Sequence, residues 1–98
     1  MLVSIKSSGG FAGIERTLGA IDSRSLPEPT ALRLSQCIDQ LFSISRSTVQ
    51  VGADFLVYEF TVAREPGGPA TRFMISDDGA PTRPPMNLVN EVLGLLGR

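Results

Sequence analysis

The sequence contains no histidine and no tryptophan, and its only cysteine among 98 residues is Cys37. Without histidine, the chain lacks the usual general base at neutral pH and the commonest protein ligand of zinc. A single cysteine allows neither an internal disulfide nor a thiolate metal cluster. We therefore expect a protein that is not an enzyme and that holds no cofactor or metal of its own.

Positive charge is neither abundant nor clustered. The nine lysine and arginine residues are scattered along the chain, and the formal net charge is −1. Nucleic-acid binding needs clustered positive charge that displaces counterions, so we do not expect it. No apolar run approaches the roughly 20 residues of a membrane span, and residues 1–10 lack the basic-then-apolar pattern of a signal peptide. We therefore predict a cytoplasmic protein that forms one domain over residues 1–98 and does not enter a membrane.

The chain begins with two segments, residues 2–8 and 14–21, in which apolar and polar residues alternate. They lie on either side of the glycine-rich stretch 8–13. Glycine supplies the positive φ angles that turns need, so the two segments predict a β-hairpin with a wide loop. Phe11, inside that loop, is either a side chain that folds back into the core or an exposed contact. In the second segment, the residues predicted to face the core are Ile14, Leu18 and Ala20.

A loop and an amphipathic helix follow the hairpin. Ser25 is the predicted helix cap, and Pro27 suits the first helical turn. Cys37 lies at the edge of the apolar face, whereas Leu32 lies well off it and is predicted to be exposed. Residues 43–53 are small and irregular, which predicts a long loop. The predicted core face of the helix is Ala31, Leu34, Ile38, Leu41 and Phe42.

The second half has a similar plan. Residues 55–63 and 71–76 predict two strands joined by the turn 65–69, and the proline-rich linker 77–85 leads to a C-terminal helix. The apolar positions predicted to face the core are Leu56, Tyr58, Phe60 and Val62 in the strand and Leu88, Val89, Val92, Leu95 and Leu96 in the helix. The order ββαββα predicts an α+β fold, a four-stranded antiparallel sheet from two hairpins with both helices packed on one face.

Carboxylates are the remaining route to catalysis. Asp77 and Asp78 are the one adjacent acidic pair, but aspartate is a common turn former and no second acidic cluster accompanies them. A small enzyme that uses this pair is therefore a weaker hypothesis than a solvated loop.

Three features together resemble the emfourin family, small proteinaceous inhibitors associated with protealysin-type, thermolysin-like metallopeptidases. They are the stretch Ser8-Gly9-Gly10-Phe11-Ala12-Gly13-Ile14, the strand that leads to Ser25-Leu26-Pro27 and a helix, and Tyr58-Glu59-Phe60-Thr61-Val62 with the hairpin, acidic–proline loop and helix that follow. The resemblance implies that the chain binds such a peptidase and occludes its active-site cleft, with the zinc supplied by the enzyme.

Thermolysin-like peptidases as a group favour a large apolar side chain just after the scissile bond, and Leu26 fits this best. Pro27 biases Leu26 towards the extended conformation in which protease clefts hold substrates, and Ser25 and Pro27 frame it. The alternative is that Leu26 packs on the first helical turn as a hydrophobic staple. Leu32 is the second candidate contact and Phe11 the third.

A different class of function stays open. The chain is also interpretable as a non-catalytic interaction or assembly module of unknown partner, because the exposed edges of a small sheet are ready templates for pairing. The expected state is a monomer or a weak homo-oligomer.

Overall fold

The computed structural model describes residues 1–9, 15–47, 57–65, 67–77, 82 and 84–96. Its strands are β1 (Leu2–Ser8), β2 (Arg16–Asp22), β3 (Val57–Ala63) and β4 (Ala70–Ser76), and its helices are α1 (Glu28–Ser47) and α2 (Met86–Leu96). One turn of 3₁₀-helix, Ser23–Ser25, precedes α1. The predicted order ββαββα is confirmed. Within these ranges, no helix has both the length and the apolar character to cross a membrane.

The four strands form one antiparallel sheet in the order β2-β1-β3-β4. β1 lies between the two hairpins, because it pairs with β2 on one side and with β3 on the other. In register, Ile5 lies opposite Phe60, and Phe60 lies opposite Phe73. A single apolar row therefore crosses β1, β3 and β4. The predicted four-stranded antiparallel sheet is confirmed.

One face of this sheet and both helices enclose the core. α1 packs against β4, α2 packs against β2, and the two helices contact each other, so both cover the same face. Phe60 stacks on Phe73 with ring centroids 5.0 Å apart, and Phe42 of α1 meets Phe73 edge-on at 5.6 Å. The fully buried side chains are Val3, Ile5, Leu34, Cys37, Ile38, Leu41, Phe60, Ile75, Val89 and Val92.

Most predicted core positions are confirmed. Phe60 and Val62 of β3 are buried, and Tyr58 is half-buried against the core. In α2, Leu88, Val89 and Val92 are buried, whereas Leu95 and Leu96 are half-buried. Leu56 lies outside the described residues.

The predicted core face of β2 is wrong. Leu18 and Ala20 are exposed, and Ile21 is buried instead. Ile5 pairs with Gly19 and Lys6 pairs with Thr17, so Leu18 is an extra residue in β2. Such a β-bulge interrupts the strict two-residue alternation on which the prediction rested. Ile14, the third predicted residue, lies outside the described residues.

Gly19 lies at this bulge and has a φ of +147°, a backbone conformation that residues other than glycine rarely adopt. A Cβ atom added there would lie 3.7 Å from Leu96 Cδ1, which places the end of α2 directly over the bulge. That distance is an ordinary van der Waals contact, so the backbone geometry of β2, and not the packing of α2, calls for glycine at this position.

The predicted loop over residues 43–53 is also partly wrong, because α1 continues to Ser47. Ile44 extends the apolar face of the helix and packs against the core. Arg46 lies 5.7 Å from the Phe42 ring centroid and places positive charge in the last turn, where the helix dipole favours it. Residues 48–53 lie outside the described residues.

Candidate functional site

The loop that connects β2 to α1, residues 22–27, contains the three central candidate residues, and we call it the β2–α1 loop. After the 3₁₀ turn, the Leu26 N–H donates a hydrogen bond of 3.2 Å to the Ser23 carbonyl. Leu26 has φ −105° and ψ 152°, which is extended backbone. The extended conformation that Pro27 favours is thus confirmed.

A dense set of hydrogen bonds supports the turn. The Asp22 carboxylate accepts from the Arg24 backbone N–H at 3.0 Å and from the Arg24 guanidinium, with Nη2 at 2.8 Å and Nε at 3.2 Å. The Ser25 hydroxyl donates to the Asp22 carbonyl at 2.7 Å. On the β1 side, the Ser23 N–H donates to the Met1 carbonyl at 2.8 Å. The loop therefore has a defined shape although it lies at the surface.

The charge on Asp22 persists over a wide pH range. The hydrogen bonds from the Arg24 side chain, followed by the one from the Arg24 backbone, lower the pKa of Asp22 from 3.8 to about 2. A group with a lowered pKa contributes its stabilisation above the unfolded pKa and loses it as the pH falls through the folded pKa. The Asp22–Arg24 pair is therefore fully formed above pH 4 and is lost only near pH 2.

Leu26 forms part of the wall of an open groove of about 410 Å³. The groove lies where the end of β2, the start of α1 and the end of α2 meet. Leu26 itself is half-buried and packs against the core, while Ser25 and Pro27 are exposed. The lining residues from the three elements are Ala20, Ile21, Thr30, Leu95 and Leu96, together with Asp22, Ser25, Leu26 and Pro27 of the loop.

Ser25 does not cap α1 as predicted. The helix begins at Glu28, and the first helical carbonyl is that of Pro27, which accepts from the Ala31 N–H at 2.9 Å. Ser25 lies before Pro27, too early for the cap position, and uses its hydroxyl to close the 3₁₀ turn. Pro27 is thus the residue at the start of the helix, where its missing N–H leaves no donor unsatisfied.

The structure brings Ser25, Leu26 and Pro27 together at the groove but does not include Leu32 in its lining. Leu32 is 60% exposed on the outer side of α1, which confirms its predicted exposure. Phe11 lies outside the described residues.

The lining residues other than Ser25, Leu26 and Pro27 are not identified as site residues from the sequence. The sequence predicts Leu95 and Leu96 on the core face of the C-terminal helix, and nothing in their spacing indicates that the end of β2 lies beside them. Asp22 carried a signal, because an aspartate just before serine-rich residues often forms an Asx turn with its own backbone.

A second polar cluster connects the helices. The Glu91 carboxylate of α2 accepts hydrogen bonds from Arg33 of α1, with Nε at 2.5 Å and Nη2 at 2.9 Å. The Cys37 thiol also donates to Glu91, at 3.1 Å. Burial, followed by the hydrogen bond to Glu91, raises the pKa of Cys37 to about 11. Because Arg33 and Cys37 of α1 both contact Glu91 of α2, this cluster joins the two helices. Across the described ranges, no three His, Cys, Asp or Glu residues are placed to hold a metal ion.

The Cys37 thiol is expected to resist alkylation in the folded protein, because thiolate is the reactive form and Cys37 is 1% exposed. Iodoacetamide at pH 8, followed by mass spectrometry, should leave the native chain unmodified and label it fully in urea. A Cys37→Ala/Gln36→Cys variant, whose thiol lies at an exposed position of α1, is the matched control and should react at once. Rapid labelling of the native wild-type chain would contradict the buried cluster.

The comparisons with known proteins gave a match at the level of a protein family. Neither the curated proteins nor the solved structures gave a match. A family model described as Emfourin matches residues 5–85, a range that contains all of β2, the β2–α1 loop, α1, β3 and β4. This match covers most of the chain. The chain therefore belongs to the emfourin family, and membership implies the role of a metallopeptidase inhibitor.

Proposed function

We propose that the chain inhibits a protealysin-type, thermolysin-like zinc metallopeptidase by inserting the β2–α1 loop into its active-site cleft. The observation that carries this proposal is the conformation of Leu26. It is an apolar residue with an extended backbone. The turn before it is held by hydrogen bonds, and Pro27 after it accepts the first hydrogen bond of α1. Family membership supplies the class of target.

An extended segment matches the way protease clefts bind substrate chains. In this proposal, Leu26 offers its exposed part to the pocket that receives the residue after the scissile bond. A loop that is already ordered loses little conformational entropy on binding, so more of the contact energy contributes to affinity. Inhibition of this kind is occlusion by shape, and the zinc remains with the peptidase.

The residues on either side have supporting roles in this proposal. Pro27 keeps Leu26 extended and starts α1, and Ser25 fixes the preceding turn through its bond to Asp22. Leu32, on the exposed side of α1, is a second contact that would lie outside the groove. Phe11 remains a third contact proposed from the sequence.

Titration of the purified chain against a thermolysin-like peptidase encoded in the same genome tests the proposal. Peptidase activity should fall in proportion to added chain and reach its minimum near equimolar amounts. A serine peptidase assayed in parallel should keep its activity. Added zinc should not restore activity, because occlusion, unlike chelation, leaves the metal in place. Full metallopeptidase activity at a large molar excess of the chain would contradict the proposal.

A further inference from the structure

We propose that Asp22 is a positioning residue, which holds Leu26 in the conformation that inhibits without itself contacting the peptidase. This inference rests on the proposed function. It concerns how the chain maintains an extended, surface-exposed recognition segment in the absence of its target.

The two ends of the β2–α1 loop are fixed in different ways. On one side, Asp22 is the last residue of β2 and pairs with Leu2 of β1, so the sheet fixes its backbone. On the other side, the Pro27 carbonyl accepts the first hydrogen bond of α1. Between these points, the 3₁₀ turn at residues 23–25 contains no buried side chain. Hydrophobic packing therefore does not determine the shape of this turn, and its hydrogen bonds must.

Most of those hydrogen bonds converge on Asp22. Its carboxylate accepts from the backbone and the guanidinium of Arg24, and its carbonyl accepts from the Ser25 hydroxyl. Asp22 thereby fixes the two residues that precede Leu26, and the Leu26 N–H closes the turn on Ser23. An aspartate in this position acts as the cap of the turn, as it does at the start of a helix.

Loss of the Asp22 carboxylate is expected to enlarge the set of loop conformations. When only a fraction of the free inhibitor has the binding-competent loop, the apparent dissociation constant rises in inverse proportion to that fraction. We expect Asp22→Ala to raise the inhibition constant roughly tenfold, mainly through slower association. A lost partner contact would instead appear mainly in faster dissociation.

The experiment compares three single variants in the full chain by stopped-flow inhibition kinetics. Asp22→Asn keeps a side-chain oxygen that can accept from the Arg24 N–H, so its inhibition constant should stay within about threefold of wild type. Asp39→Ala is the matched control, because Asp39 is also an exposed carboxylate paired with an arginine, Arg64, but lies on α1 away from the loop. It should inhibit like wild type.

A double-variant cycle adds a readout that general destabilisation would not affect. If Asp22 acts through Leu26, then Asp22→Ala should cause little further loss in a Leu26→Ala background. Equal losses in both backgrounds would overturn the inference. So would an Asp22→Asn variant that is as weak as Asp22→Ala although its Leu26 amide exchanges at the wild-type rate, because the carboxylate charge would then be what the peptidase recognises.

Amide hydrogen exchange on the free chain separates this inference from the proposed function. The Leu26 amide should exchange at least tenfold faster in Asp22→Ala than in wild type, while amides of buried β3 residues such as Phe60 remain protected. A wild-type chain that fails to inhibit would contradict the proposed function and the positioning role together. Full inhibition by Asp22→Ala, or an unchanged exchange rate at Leu26, would contradict the positioning role alone.

Discussion

Replacement of Leu26 by alanine is expected to weaken inhibition of the target peptidase by about 30-fold or more. An anchor side chain at the centre of an interface typically costs about 2 kcal/mol or more when truncated, and each 1.4 kcal/mol is a factor of about ten in affinity. Leu26 has the extended backbone and the framing residues that such an anchor requires. The inhibition constant, measured with a fluorogenic peptide substrate, is the quantity to compare.

The same variant separates the two interpretations of Leu26. Because Leu26 is half-buried against the core, its truncation should also lower the free energy of unfolding, by about 1 kcal/mol. If Leu26 acts only as a hydrophobic staple, the Leu26→Ala variant should lose this stability but inhibit like wild type. Met74→Ala is the control, since Met74 is 50% exposed on β4, at the opposite edge of the sheet from β2. It should inhibit like wild type.

Replacement of Phe60 by alanine is expected to produce the largest loss of stability of any substitution proposed here. Phe60 is completely buried on a central strand, and its ring stacks on Phe73 with an angle of 2° between the planes. Truncation of a buried phenylalanine to alanine costs about 3–5 kcal/mol. For a domain of this size, that corresponds to a melting temperature lower by about 12 °C or more.

Urea denaturation followed by circular dichroism measures this effect directly. Phe60→Leu is the matched control, because it keeps an apolar side chain in the same place and should cost only about 1–2 kcal/mol. A loss below about 1 kcal/mol for Phe60→Ala would mean that the row of Ile5, Phe60 and Phe73 is not the centre of the core.

The fold was predictable from the sequence wherever one regular spacing of apolar residues described a whole strand or helix. β3 alternates without interruption, so Phe60 and Val62 were placed correctly in the core. β2 does not alternate, because one extra residue at Leu18 changes the face that the following residues present. A bulge depends on how two strands pair, and that information is not contained in the residues of one strand. The end of α1 was missed because the small residues around Ile44 have little intrinsic preference for helix.

The candidate site was predictable only in its local part. The extended backbone of Leu26 follows from the proline after it, which is an effect between neighbouring residues. The groove beside it needs Leu96, which is brought there by the packing of α2 against β2. That contact joins segments far apart in the chain, and local patterns carry no information about it.

The bulge in β2 also affects how the chain behaves at high concentration. β2 is an edge strand, and a regular edge offers evenly spaced N–H and C=O groups on which another chain can add a strand. The extra residue Leu18 and the positive φ of Gly19 break that spacing near the middle of β2. A second chain would therefore find no continuous ladder along this edge. The chain is in this way protected from fibre growth at β2, the strand that leads into the β2–α1 loop.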